Sequence, residues 1–238
     1  MPATAEYTLR DQDRMKRARR YFEWQYRMAK AQLGRRVLEI GCGVGNFTDR
    51  LLDDREFVIA IDVEPACIAA HRTRFSGRPN LVSHCLDVLS PGVLGLRAEG
   101  PDSVACLNVL EHIADDRGAL GRMYDVLPAG GRVVLMVPAF QSLYGPIDEY
   151  LGHHRRYNKR SLQRLAERAG FEIRDLRYMN ALGFFGWWFN AHVSGRTAQS
   201  ETQIAVFDAL VVPVLSRLER LKAPPVGQSL FAVLQRRA

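Results

Sequence analysis

Apolar runs of five or six residues recur at 36–40 (RVLEI), 57–62 (FVIAID), 80–85, 102–107 (DSVACL) and 132–137 (RVVLMV). They are short and nearly continuous, the pattern of strands buried on both faces rather than of half-exposed ones. Between them, 46–54, 65–75 and 116–127 carry helical spacing. Pro65, preceded by Glu64, suits a helix start, and Pro128-Ala-Gly-Gly stops the third segment. Strands alternating with helices predict a parallel α/β sheet covered on both faces, with right-handed crossovers.

Ahead of this repeat, Met15, Ala18, Phe22, Tyr26 and Ala29 recur at helical spacing within 11–33, and Gly34 ends that helix. The second half is less regular. Residues 138–157 have few apolar residues in any period and read as a long loop or lid. A helix at 161–169, a strand at 171–178, a long helix at 201–221 kinked at Pro213, and a last strand at 229–235 (SLFAVLQ) follow. The expected organisation is one domain over 1–238. Within it, 1–34 form a helical cap, 35–138 a ligand-binding core, and 139–238 a lid and the C-terminal strands.

With 238 residues, 47% of them apolar, the chain can bury one full core, and 25% charged residues exclude a disordered or fibrous class. The start, MPATAEYTLRDQDR, has no apolar core of a signal peptide, and no stretch approaches the roughly 20 apolar residues that span a bilayer. Cys42, Cys67, Cys85 and Cys106 form no CxxC pair. Three of them lie in or beside strand runs, so small buried hydrophobes in a reducing cytoplasm are expected. The net charge of +7 admits attraction to a phosphorylated substrate, a nucleic acid or a membrane surface, or only a bias toward arginine. No lysine-rich or aromatic-interleaved basic run supports nucleic acid.

The segment carrying chemistry is Val37-Leu-Glu-Ile-Gly-Cys-Gly-Val-Gly-Asn-Phe-Thr48. A buried strand runs through Gly41, Gly43 and Gly45 into a helix, whose first N–H groups and positive end form a nucleotide-type site. The dinucleotide pattern G-x-G-x-x-G would need glycine at 46, where Asn46 stands, and no GK[ST] follows. Glu39 at the strand end opposes a pyrophosphate but suits an ammonium group. Asp62 closes the second strand, where a carboxylate accepts hydrogen bonds from ribose hydroxyls or caps the next helix. Asp87 follows the third strand as a candidate for an adenine amino group or as a turn acid. Asn108 opens Asn-Val-Leu-Glu-His112 after the fourth, and Glu111 and His112 also fit an ordinary helix start.

Taken in order, VLEIGCGVGNFT, VIAIDVEP, LDV at 86–88, NVLEHI at 108–113 and PAGGRVVLMVP at 128–138 resemble the motifs of the class I S-adenosylmethionine (SAM)-dependent methyltransferases. The resemblance covers about 36–138. It implies a Rossmann-like seven-stranded, mostly parallel sheet, order 3-2-1-4-5-7-6, with an antiparallel last strand that SLFAVLQ matches. It implies SAM as cofactor, near Glu39, Gly41, Cys42, Gly43, Asn46, Asp62, Val63, Asp87, Val88, Asn108 and Val109. Past 138, Tyr144-Gly-Pro-Ile-Asp148 and Gly152-His-His-Arg-Arg-Tyr157 resemble a bacterial subgroup that acts on small molecules. NVLEH is similar in part to the ExxEH metal site of some methyltransferases of RNA 3′ ends and quinone precursors. Asn108 stands at its first Glu, so no metal is expected.

The leading expectation is methyl transfer to an oxygen, nitrogen or carbon of a small, apolar or lipid-like metabolite, which asks the protein to position a nucleophile and exclude water. His153 and His154 are candidate bases, and Asp148 or Tyr144 could orient the nucleophile. Arg155 and Arg156 could clamp a carboxylate or phosphate. Alternatively, GHHRRY only braces the lid. Tyr21, His112, Arg155, Tyr157 and Trp187 are further substrate-side candidates, with Tyr21 or Tyr26 facing inward from a cap folded over the cofactor. Phe184, Phe185, Trp187, Trp188 and Phe189 form either packing, a dimer face, or an apolar wall for an aromatic or lipid-like acceptor. With Arg14, Lys16, Arg17, Arg19 and Arg20 they also admit transient membrane contact. Monomer and homodimer both fit. Other open readings are a nucleic-acid or protein methyltransferase, which lacks an NPPY-type motif here, a SAM-binding protein without catalysis, and a dinucleotide oxidoreductase.

Overall fold

The computed structural model describes residue 12 and residues 15–194 and 201–237. Seven strands form one sheet: β1 (Arg36–Ile40), β2 (Phe57–Asp62), β3 (Leu81–Cys85), β4 (Ser103–Leu107), β5 (Arg132–Pro138), β6 (Phe171–Met179) and β7 (Ser229–Arg236). Their order is β3-β2-β1-β4-β5-β7-β6. The β1–β5 pairs are parallel, and β7 runs antiparallel to both neighbours. This is the expected sheet. The direction of the crossovers reverses between β1 and β4, which opens a crevice beyond their carboxyl ends.

The helices are α1 (Arg19–Ala29), α2 (Thr48–Leu51), α3 (Pro65–Arg74), α4 (Asp116–Val126), α5 (Pro146–Leu151), α6 (Lys159–Arg168), α7 (Ala181–Phe189), α8 (Glu201–Val206) and α9 (Val212–Leu221). Strand alternation sends Leu38, Ile40, Val133 and Leu135 to one face, against α4 and α6. Val37, Val58, Val134 and Met136 go to the other, against α1, α2 and α9. Glu39 shares the parity of Val37 and is therefore pressed under helices, at 4% exposure.

Several elements differ from the sequence pattern. The helix expected over 46–54 is only α2, because the turn with Gly41, Gly43 and Gly45 all at positive φ consumes its first residues. Residues 138–157 are not an open loop. They hold a 3-10 turn (Gln141–Leu143) and α5, whose Leu143, Ile147 and Asp148 are buried. The period was hidden because two short helical pieces never complete an amphipathic stripe. The aromatic run is α7, capped by the Asn180 side chain accepting from Gly183 N–H at 3.0 Å. Residues 201–221 are helical throughout, as expected, and Pro213 lies inside that run, directly after a π turn over Phe207–Val211 that locally alters the hydrogen-bond ladder. Cys85 is exposed rather than buried, at the end of edge strand β3.

Gly45 closes the turn onto α3. Its φ is +87°, and a Cβ there would lie 2.2 Å from Phe75 Cε2. Gly45→Ala should therefore cost about 1–3 kcal/mol, from backbone strain and overpacking. A fall in urea midpoint at constant slope checks this.

Candidate active site

The glycine turn is pinned from both strands. Gly41 and Cys42 N–H donate to Ile61 O at 2.8 and 3.0 Å. Asp62 Oδ2 accepts from Gly43 N–H at 2.8 Å, and Oδ1 accepts from Glu64 N–H at 2.9 Å. The cap of α3 is Glu64, which accepts from Ala66 N–H, so Asp62 holds the turn rather than the helix. Gly41 packs so closely on Val109 that a Cβ would lie 2.3 Å from Val109 Cγ2. Asn108, exposed at the end of β4, adopts φ +55°, a conformation asparagine tolerates better than most residues.

Glu39 is the electrostatic centre. Thr48 Oγ1 donates to its Oε2 at 2.6 Å. Thr48 Oγ1 also lies 3.0 Å from His71 Nε2, and His71 Nδ1 lies 3.0 Å from Ser83 Oγ. With the Thr48 hydroxyl committed to the carboxylate, His71 must donate through Nε2 and accept from Ser83 through Nδ1. Burial, with the Arg74 and Arg72 charges, lowers the His71 pKa to about 4, so this chain runs through a neutral ring. Burial pushes Glu39 up to about 8, with the Asp62 charge adding and the Thr48 bonds opposing. Thr48, His71 and Ser83 escaped the sequence reading because three separate elements supply them.

The other cofactor candidates divide. Val63 is 63% exposed beside Asp62, an apolar surface at the mouth of the crevice. Asp87 is exposed, and its Oδ1 accepts from Leu89 N–H at 2.8 Å, which leaves Oδ2 open. Cys42 and Val88 are buried, and burial raises the Cys42 thiol far above its usual range. Asn46 is committed within the protein. Its Nδ2 donates to Gln12 O at 3.0 Å, and its Oδ1 accepts from Arg74. Gln12 also reaches Gly43, so the N-terminal segment touches the glycine turn through that residue. Neither expected tyrosine does this. The buried Tyr21 hydroxyl bonds with Ser229, Gln25 and Asn180, and Tyr26 packs on Phe47 with its hydroxyl on Asp54.

Beyond β4, a second constellation forms around Asp148, which is fully buried. Its Oδ1 lies 2.7 Å from His153 Nδ1 and accepts from Arg156 Nε at 2.8 Å. Its Oδ2 accepts from Gly145 N–H at 3.1 Å and Trp187 Nε1 at 3.4 Å. Burial alone would raise this carboxyl, but the bonds from His153 and Arg156 outweigh it and hold its pKa low. Tyr144 donates to His153 O at 2.8 Å, so it braces the backbone rather than facing a nucleophile. His154 donates its N–H to Glu111 O and keeps its exposed ring outside this knot.

The arginine clamp is not free. Arg156 is buried on Asp148 beneath Trp187, and Arg155 pairs with Asp116 at 2.7 Å. Arg155 also lines a cavity of about 320 Å³ with Arg156, Arg164 and Arg168, which shares no residue with the glycine turn. Tyr157 is buried with its hydroxyl on Asp116, so it supports the 155–157 segment rather than an acceptor.

The fold adds Glu111 and His112 to His153. The His112 and His153 rings meet edge-to-face at 4.6 Å, and one ligand atom from each of the three residues lies within 4.8 Å of the others. Glu111 is 1% exposed, its Oε2 has no hydrogen-bond partner among the described residues, and burial raises its pKa to about 7. The sequence held no sign that His153, 41 residues on, would join the NVLEH segment. No metal was expected, yet this trio has the donor types and spacing for a divalent cation.

A family of methyltransferase domains matches residues 12–176. The chain is a class I SAM-dependent methyltransferase. This methyltransferase is 30% identical over 188 residues to a probable S-adenosylmethionine-dependent methyltransferase of Mycolicibacterium smegmatis, covering 77% of this chain and 69% of the relative. A ubiquinone biosynthesis O-methyltransferase of Xylella fastidiosa is 32% identical over 103 residues, only 42% of this chain and 40% of the relative. Among solved structures, a Bacillus halodurans methyltransferase superposes at TM-score 0.60 and 18% identity, covering 90% of this methyltransferase and 99% of that chain. The N-methyltransferase NodS of Bradyrhizobium japonicum, with S-adenosyl-L-homocysteine, gives 0.56 and 18%, covering 90% and 84%. The cofactor is SAM, and the paired acids Glu39 and Asp62 beside a tight glycine turn fit its cationic, hydroxyl-bearing ends.

The Glu39 pKa sets a pH dependence. An unfolded glutamate titrates near 4.5, the folded one near 8. Between these values the folded chain keeps a proton that the unfolded chain releases, so stability falls as pH rises. Glu39→Gln should therefore leave the ligand-free melting temperature nearly unchanged at pH 4 and raise it at pH 8. Scanning fluorimetry at both pH values reads this.

Proposed function

We propose that this methyltransferase methylates an oxygen or nitrogen of a small, apolar or lipid-like acceptor, with His153 as the base. The Asp148–His153 contact at 2.7 Å carries the proposal. A buried carboxylate fixes the ring tautomer by accepting a hydrogen bond from Nδ1–H, which leaves Nε2 as an acceptor beside Glu111 and His112. SAM supplies a methyl group already activated by a sulfonium leaving group. The protein holds that donor through Glu39, Asp62 and the backbone of the glycine turn. His153 Nε2 takes the proton that the acceptor loses, and Trp187, stacked on Arg156, walls the knot from water.

An apolar acceptor is favoured by the aromatic surroundings: Phe140 stacks on Tyr178 at 4.7 Å and meets Phe184 edge-to-face at 5.4 Å. The relative named for ubiquinone biosynthesis O-methylation is compatible with an acceptor of this kind. A cation at Glu111, His112 and His153 is the second reading, favoured by the unpartnered Glu111 oxygen. Turnover that chelator abolishes and one divalent metal restores would select it.

Two variants separate donor binding from chemistry. Asp62→Ala should weaken SAM binding by about 1–3 kcal/mol in calorimetry, through loss of charge-assisted hydrogen bonds. NAD should not compete. His153→Asn should keep SAM affinity and lower kcat about 100-fold with phenolic or amine acceptors. Full turnover in that variant would remove His153 as the base.

A further inference from the structure

Ten large apolar side chains on one stretch of this chain face solvent, and the proposed function uses none of them. Val206, Leu210, Val214, Leu218 and Leu221 are exposed along α8, the π turn and α9, with Leu210 at 69% and Leu221 at 82%. Their spacing is four, four, four and three residues. In a plain α-helix each four-residue step would turn the row by about 40°, because its turn is shorter than four residues. The π turn over Phe207–Val211 takes one more residue per turn and keeps the row together. Leu182, Phe185, Trp188, Phe189 and Val193 are exposed along α7 and the π turn that follows it. Glu219 of α9 accepts from Asn180 and Ala181 N–H at 2.9 and 2.8 Å, which fixes the start of α7 at the end of the row.

The charges on this stretch are sorted. Its acids are consumed: Asp208 by the Arg20 and Tyr21 N–H groups, Glu219 at the start of α7, and Glu201 by Arg17. Its exposed cations, Arg217, Arg220 and Lys222, make no ion pair among the described residues. The outer surface of α8, the π turn and α9 is therefore apolar with a cationic margin, and α7 starts at its end.

We propose that this face docks on the surface of a lipid bilayer bearing anionic headgroups. Apolar and aromatic side chains beside Arg and Lys form the profile of a helix lying in a membrane interface. Among the described residues no helix is long and apolar enough to cross a membrane, so the contact is in-plane. A second copy of the chain is the poorer occupant. Two-fold pairing would set one apolar-cationic face on another, with no acid to neutralise the facing cations. The docking does not depend on which acceptor is methylated.

Flotation of the full chain with phosphatidylcholine vesicles, with and without phosphatidylglycerol, tests the proposal. Binding is expected only with the anionic lipid, weakening as salt rises. The triple change R217Q/R220Q/K222Q should lower partitioning roughly a hundredfold. Leu210→Ser with Leu218→Ser should abolish it, with the circular dichroism spectrum and SAM affinity unchanged. Equal binding to both vesicle types, none to either, or variants that bind as the parent does would overturn the proposal. So would sedimentation showing a dimer that the Leu→Ser variant dissolves.

Discussion

Asp62 is the joint on which the cofactor end of this enzyme depends. One carboxylate receives the amide of Gly43 and the amide of Glu64, so a single side chain ties the glycine turn of β1 to the turn that launches α3. Those bonds cost the carboxylate some basicity, while burial raises its pKa. Beside it Glu39 is buried and bonded by the hydroxyl and the backbone N–H of Thr48. Burial and the Asp62 charge both disfavour the ionised form of Glu39, so in the apo site it keeps a proton up to about pH 8. A cationic donor relieves that penalty, and a dianionic pyrophosphate aggravates it.

The core was legible because its signals are local. Each of β1 to β5 lies within a residue or two of its apolar run, and the glycines announce their turn. The final strand followed from one run, SLFAVLQ, through the family resemblance. The region after β5 was not legible for the same reason in reverse. Asp148, His153, Arg156 and Trp187 meet only because α5, the 153–157 segment and α7 fold onto one another. The Arg155–Arg156 pair looked like an anion clamp because a sequence cannot show that each guanidinium already has a carboxylate. The chain from Ser83 through His71 and Thr48 to Glu39 likewise spans four elements and has no spacing to betray it.

The two constellations divide the work by rigidity. The glycine turn is held by backbone amides with little freedom to move. The Asp148 knot is a buried ion pair with four hydrogen-bond donors on one carboxylate, a structure that is costly to break once any partner is lost. It fixes the His153 ring and the Trp187 indole with the same two oxygens. A substitution meant to probe chemistry at His153 therefore also loosens the wall above it, unless the replacement keeps a donor toward Asp148, as asparagine can.

The position of β7 bears on how the polypeptide assembles. It lies between β5 and β6, pairing Arg132 with Gln235 and Phe171 with Arg236, although it is synthesised after both. Neither neighbour can complete its ladder until that run leaves the ribosome. Until then β5, apolar from Val133 onward, presents an unpaired edge, the kind of surface to which chaperones and other nascent chains adhere. Two of the seven strands thus wait for that run, and closing β7 onto β5 joins contacts about a hundred residues apart.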